Sequence, residues 1–221
     1  MPAVERLNFY TTVLSDGVVP LFYTPSLEKA IAAAEAIASG GARCIEFTNR
    51  GEGALTVFSG MVEHFRKANP SLIFGVGSVL EAPTAALFIA HGANYIVSPN
   101  FNPEVAKLCN RRKIAYMPGT ATPTEISNAE EAGCEIIKIF PPSVELIKAV
   151  LGPLPWVKLM PSGGVEPTQE NVNKWIGAGA ACLGIGSALI SKSMLASGDF
   201  STVGPNLANM IAWIKEARAK K

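Results

Sequence analysis

Charge is scarce in this chain. Lysine and arginine number 19 and aspartate and glutamate 18 among 221 residues, leaving a formal net charge of +1. A protein that works on nucleic acid or an anionic membrane carries a basic stripe, and none is visible. The short basic clusters, Arg111-Arg112-Lys113 and the lysines of the 215–221 tail, read as helix C-termini, where cations complement the helix dipole. Histidine is scarcer still, with only His64 and His91, both on predicted helices. The four cysteines, Cys44, Cys109, Cys134 and Cys182, are widely spaced and form no CxxC pair. A zinc site needs about four clustered N, S or O ligands, and the pattern supplies none, so the cysteines read as buried free thiols. No apolar run reaches the roughly 18 residues of a membrane span. The first eight residues lack the basic-then-apolar order of a signal peptide. These absences predict a cytoplasmic protein with no metal, no cofactor, no nucleic acid and no membrane partner.

Apolar residues are abundant, at 48%. They come as short, nearly continuous runs at 18–23, 43–48, 72–79, 95–99, 114–118, 136–140, 157–161 and 182–185. Strands buried on both faces read this way, as in a parallel sheet covered by helices. Amphipathic stretches lie between them. Residues 26–39 open on Ser26 and close on Gly40-Gly41. Residues 83–91 end at Gly92, and 168–176 end at Gly177. Residues 123–132 end at Gly133, with Thr122 and Glu125 at capping-box spacing. Eight strand–helix units in a chain of this length predict one α/β domain over 1–221, a single closed (β/α)8 (TIM) barrel. Residues 1–16 form an extra N-terminal helix under it. Residues 200–221 hold a last helix with Ala208, Ile211, Ala212 and Ile214 near helical spacing. A doubly wound open sheet is the other reading, but Tyr23-Thr24-Pro25-Ser26 is no glycine fingerprint.

Barrel enzymes carry their chemistry at the C-terminal ends of strands. Lys138 interrupts such a run, in Ile136-Ile137-Lys138-Ile139-Phe140. Alternation puts Ile136, Lys138 and Phe140 on one face. If that face lines the barrel, a lysine there that gives up its proton can attack a ketone and form an imine. A lysine reaching water at a strand end is the plainer alternative. Glu46 sits alike in Cys44-Ile45-Glu46-Phe47-Thr48 and suits a proton shuttle, or else an ion pair with Lys138 or Arg50. Arg50 can hold a carboxylate in bidentate fashion. Ser78 offers a hydroxyl at the end of Gly75-Val76-Gly77, whose glycines let backbone approach a ligand. The last two strands end in Ser162-Gly163-Gly164 and Gly184-Ile185-Gly186-Ser187, where backbone N–H groups of many barrels hold a phosphate.

Taken in order, these segments resemble the 2-keto-3-deoxy-6-phosphogluconate (KDPG) / 4-hydroxy-2-oxoglutarate (KHG) aldolase family. The match runs over Glu46-x-Thr48-x-Arg50, Gly75-x-Gly77-Ser78-Val79, Ser98-Pro99, Pro118-Gly119, Lys138-x-Phe140-Pro141 and the two glycine loops. The resemblance implies a class I aldolase with Lys138 as imine former and Glu46 as acid–base shuttle. Arg50 and Ser78 would then hold the pyruvyl carboxylate, and Pro99 and Phe140 would shape the pocket. Ser162, Gly163, Gly164, Gly186 and Ser187 would form the phosphate loops. It also implies a homotrimer without metal. The substrate would be KDPG, with KHG or the phosphogalactonate epimer as alternatives. A phosphate-binding isomerase barrel or a non-catalytic sugar-acid binder lies further off. Five positions depart from the family. Ser78 and Ser162 stand where threonine is common, Asn100 where a glycine often follows the proline, and Phe22-Tyr23 where smaller side chains are usual.

Overall fold

The computed structural model describes residues 4–220. Helices and strands alternate from end to end. The chain opens with α1 (Arg6–Asp16), β1 (Val18–Phe22), α2 (Leu27–Ser39), β2 (Cys44–Thr48), α3 (Ala54–Ala68) and β3 (Ile73–Gly77). It continues with α4 (Ala82–Ala90), β4 (Tyr95–Val97), α5 (Pro103–Arg112), β5 (Ala115–Met117), β6 (Gly119–Thr120) and α6 (Pro123–Glu131). Then come β7 (Ile136–Ile139), α7 (Val144–Leu151), β8 (Lys158–Pro161), α8 (Gln169–Ala178), β9 (Leu183–Ile185), α9 (Lys192–Ser197) and α10 (Val203–Ala219).

The helices start where polar side chains can take up their free N–H groups. Ser26, Asn102, Thr122, Ser143, Thr168 and Ser191 each accept a hydrogen bond from the first turn of the helix they precede. Each such cap contributes about 1 kcal/mol. The predicted capping box forms one residue early, because Glu125 Oε2 accepts from Ala121 N at 2.9 Å. The predicted stop of α8 moves. Gly177 lies inside the helix, and Gly179, left-handed at φ 110°, ends it by bonding back to Trp175 and Ile176.

All strand pairs are parallel. They form a six-stranded sheet, β5-β4-β3-β2-β1-β9, and a three-stranded sheet, β6-β7-β8. The expected count of eight strands becomes nine because the fifth run is cut at Pro118. Proline has no N–H for the ladder. Residues before it pair with β4, and residues after it pair with β7. The β8–β9 edges meet through the Ser162–Gly184 bridge and the bond from Ala181 N to Leu159 O at 2.8 Å.

Two buried clusters divide the side chains by strand parity. Ile45, Phe47, Val76, Ile137 and Ile139 pack outward under the helices. Val19, Cys44, Ile73, Tyr95, Met117, Ile136, Met160 and Cys182 fill an interior to which both sheets contribute. Phe9, Tyr10 and Val13 of α1 plug its lower end, with Phe9 stacked on Tyr95 at 4.3 Å between ring centroids. The stripe of α10 is not the expected one. Val203, Leu207, Met210 and Ile214 are buried, while Ala208 and Ala212 face solvent. The cysteines are buried and unpaired, and burial pushes Cys109, Cys134 and Cys182 up to about 12.

Candidate active site

Strand parity decides where Glu46 and Lys138 point. Their neighbours at odd offset belong to the outer core, and Cys44 and Ile136, at even offset, belong to the interior. Glu46 and Lys138 therefore face inward, above the apolar plug. Both are buried, at 1% and 8% exposure. Lysine and glutamate are rarely buried to that extent without a partner.

Glu46 has none. Its Oε2 lacks a hydrogen-bond partner among the described residues, and it joins neither of the two ion pairs found there. The ion-pair reading of Glu46 with Lys138 or Arg50 is thus not realised at contact distance. Burial raises the pKa of its carboxyl, and the positive charges of Lys138 and Arg50 pull it partly back down. A carboxyl poised in this way can both take and give a proton.

The glycines of β3 explain how Glu46 fits. A Cβ on Gly77 would fall 1.8 Å from Glu46 Oε1, and one on Gly75 would fall 2.3 Å from the Tyr95 ring. From sequence alone these glycines suggest close approach of backbone to a ligand. In the structure they make room for two neighbouring side chains.

Lys138 is held by β6. Its N–H donates to Pro118 O at 2.9 Å, and its carbonyl accepts from Thr120 Oγ1 at 3.2 Å. Its Nζ lies 5.3 Å from the centroid of Phe140, a ring that is 45% exposed at the mouth. Arg50 Nε donates to Ser78 Oγ at 3.2 Å, so the two expected carboxylate holders stand side by side. Ser78 takes the left-handed backbone conformation at φ 61°, unusual for a side-chain-bearing residue and a known mark of functional loops.

The remaining expected residues gather at the same strand ends. Pro99 puts its carbonyl where a Cβ on Gly119 would lie 2.1 Å away, which requires glycine there. Ser162 is buried at the end of β8 beside Gly184. Gly163 and Gly164 are left-handed, at φ 98° and 60°, and abut Pro142 from the loop after β7. Asn171 and Trp175 of α8 tie down the Gly164 carbonyl. Gly186 lies against Leu21 of β1, with exposed Ser187 beside it. Among the described residues no group of three or more His, Cys, Asp or Glu is arranged to hold a metal ion.

A buried lysine and a buried, unpartnered carboxyl thus stand at one set of parallel strand ends. The sequence model described as "Aldolase: KDPG and KHG aldolase" matches residues 11–205. The chain belongs to the KDPG and KHG aldolase family. A 2-dehydro-3-deoxy-phosphogluconate aldolase of Treponema pallidum is 30% identical over 84% of this chain and 88% of its own length. A KHG/KDPG aldolase of Escherichia coli K12 is 29% identical over 87% and 90%. A solved structure of a 4-hydroxy-2-oxoglutarate / 2-dehydro-3-deoxyphosphogluconate aldolase superposes with a TM-score of 0.79 at 25% identity, covering 96% of this chain and 99% of that one.

Within this aldolase fold, two departures from the family pattern have clear surroundings. The Tyr23 ring packs 5.7 Å from Phe47, and its hydroxyl sits where a Cβ on Gly51 would fall 2.1 Å away. Asn100 is exposed, with its carbonyl held by Tyr116 Oη at 3.3 Å. One residue near the site escaped the sequence reading altogether. Tyr95 faces the interior, fully buried, in register with Gly75 and, through it, with Glu46. A tyrosine at an interior position of a buried strand was the available signal, since its hydroxyl needs a partner there.

Proposed function

We propose that this chain is a class I aldolase that cleaves KDPG to pyruvate and glyceraldehyde 3-phosphate through an imine on Lys138. The observation that carries the reading is the pair of inward-facing, buried groups: Lys138, and Glu46 with Oε2 unpartnered. The names of the relatives supply the substrate class.

The Lys138 amine adds to the C2 carbonyl, and the carbinolamine loses water to give a protonated imine. Glu46 takes the proton of the C4 hydroxyl, directly or through water. The C3–C4 bond breaks, its electron pair flows to the imine nitrogen as an enamine, and the aldehyde leaves. The enamine takes a proton at C3. Water then hydrolyses the imine, releasing pyruvate and the free amine. Arg50 and Ser78 hold the carboxylate and set the attack geometry. Gly163, Gly164 and Ser187, with Ser162 and Gly186 behind them, receive the distal phosphate, and Pro99 and Phe140 wall the pocket. KHG, as in the name of the Escherichia coli relative, is the second substrate to test.

The same reading takes residues 1–221 as one domain. The two parallel sheets form one closed (β/α)8 barrel, seamed at Pro118 and at the Ser162–Gly184 bridge. It takes the enzyme as a cytoplasmic homotrimer. Among the described residues, no helix is long and apolar enough to cross a membrane.

Incubation with pyruvate, reduction with borohydride and peptide mass mapping test the chemistry. A reduced pyruvyl adduct on Lys138 is the expected result. A folded protein that gives no adduct would overturn the proposal in favour of a phosphate-binding isomerase or a non-catalytic binder.

A further inference from the structure

Two buried polar atoms of the interior have no hydrogen-bond partner among the described residues: Glu46 Oε2 and the Tyr95 hydroxyl. The register brings their residues into line. Glu46 on β2 pairs with Gly75 on β3, and Gly75 pairs with Tyr95 on β4. The three residues therefore form one row across three strands, and the middle one has no side chain. The Tyr95 ring lies over that gap, because Cδ2, Cε2 and Cζ all come within 2.4 Å of where a Gly75 Cβ would be. The ring thus occupies the place of the missing Gly75 side chain, between Tyr95 on β4 and Glu46 on β2, close enough for the Glu46 charge to act on its hydroxyl. The stack of Phe9 on Tyr95 leaves the ring little freedom.

We propose that Tyr95 is a positioning residue for Glu46: its O–H donates to the Glu46 carboxyl through one bridging water and fixes the orientation in which that carboxyl moves protons. This rests on the reading of Glu46 as the proton shuttle. A water between a buried phenol and a buried carboxyl satisfies both, which accounts for two atoms that folded proteins seldom leave unpaired. Burial, with the nearby Cys44, Glu46 and Cys182, holds the Tyr95 hydroxyl well above its ordinary range, so it stays a donor throughout the working pH. The charged groups facing Glu46 are Lys138 from β7 and Arg50 beyond β2. A donated hydrogen bond adds a third influence that favours the carboxylate.

The test is Tyr95→Phe, which keeps the ring and removes the donor. The readout is exchange of the pyruvate methyl protons for deuterium as a function of pH, which needs the imine and the shuttle but no aldehyde. Borohydride trapping runs in parallel. The expected result is an exchange rate down about tenfold, the size of one lost hydrogen bond to a charged group. The acidic limb should move up by about one pH unit, with the trapped Lys138 adduct undiminished. Carbon-13 NMR of the Glu46 carboxyl should show the same upward shift, and it reads Tyr95 even if the wild type exchanges no pyruvate protons. That last outcome would count against the aldolase reading and leave the Tyr95 contact standing or falling on the NMR alone. An unchanged limb and unchanged carboxyl titration, with a variant that melts higher, would overturn the proposal and make Tyr95 a packing residue. Loss of the adduct in step with the exchange would also overturn it, because Tyr95 would then be acting on site assembly.

Discussion

Where the strands begin, Phe9 stacks on Tyr95, and Tyr10 and Val13 of α1 pack with Cys44, Ile136 and Cys182. Where the strands end, Glu46 is buried without a partner, Lys138 rises beside an exposed phenylalanine, and Ser78 holds a left-handed backbone. One end is closed by apolar contact; the other is kept polar and open. Fully burying an aromatic side chain contributes about 2–3 kcal/mol, and a buried polar group without a partner costs about as much. The contrast teaches that stability and chemistry are divided along the strand axis, and that each strand serves both by changing residue type over two or four positions. Cys44 packs in the plug; Glu46, two residues on, faces the site.

Four substitutions break or sharpen this comparison. Lys138→Ala should lower kcat by roughly 10^5-fold and abolish the borohydride adduct, while thermal melting stays near wild type. Glu46→Gln should lower turnover by roughly 10^3-fold with the adduct still detectable. It should also remove the acidic limb, which in the wild type lies above the ordinary value of 4.5 because burial raises this carboxyl. The stability sign follows from the same shift. A raised carboxyl penalises the fold increasingly as pH climbs from its unfolded value to its folded one. Glu46→Gln should therefore melt higher than wild type at neutral pH, and the gain should fade below about pH 4.5. At the other end, Phe9→Ala should cost about 3–4 kcal/mol in chemical denaturation, while the native fraction still traps pyruvate. A plug variant that kept its stability and lost its adduct would break the division of the two ends. The smallest effect is expected from Arg50→Ala, which should raise KM for the keto acid about tenfold and leave kcat within a few-fold, because Arg50 is proposed to bind rather than react.

Much of the frame was legible. Continuous apolar runs marked every strand from β1 to β9 apart from the break at Pro118, since strands buried on both faces leave little choice of residue. Ser26 and Thr122 stood out as helix starts because capping is local chemistry between residues three apart. Helix ends were harder. Gly177 and Gly179 are both glycines after an amphipathic run, and only packing placed the left-handed turn at the second. The buried stripe of α10 was missed for a similar reason. Ala208 and Ala212 are as apolar as the residues that go inside, and the face a helix buries depends on what lies beneath it.

By itself, the sequence determined the alternation of strand and helix, the face that Glu46 shares with Cys44 and Lys138 with Ile136, and the order of the segments that resemble the KDPG and KHG aldolase family. These follow from local periodicity and from the cost of burying charge. Tertiary structure alone decided that Gly75 and Gly77 serve Tyr95 and Glu46, that Arg50 meets Ser78, and that Glu46 pairs with neither Lys138 nor Arg50 at contact distance. These depend on register between strands far apart in the chain, and register is set by the packing of the whole sheet.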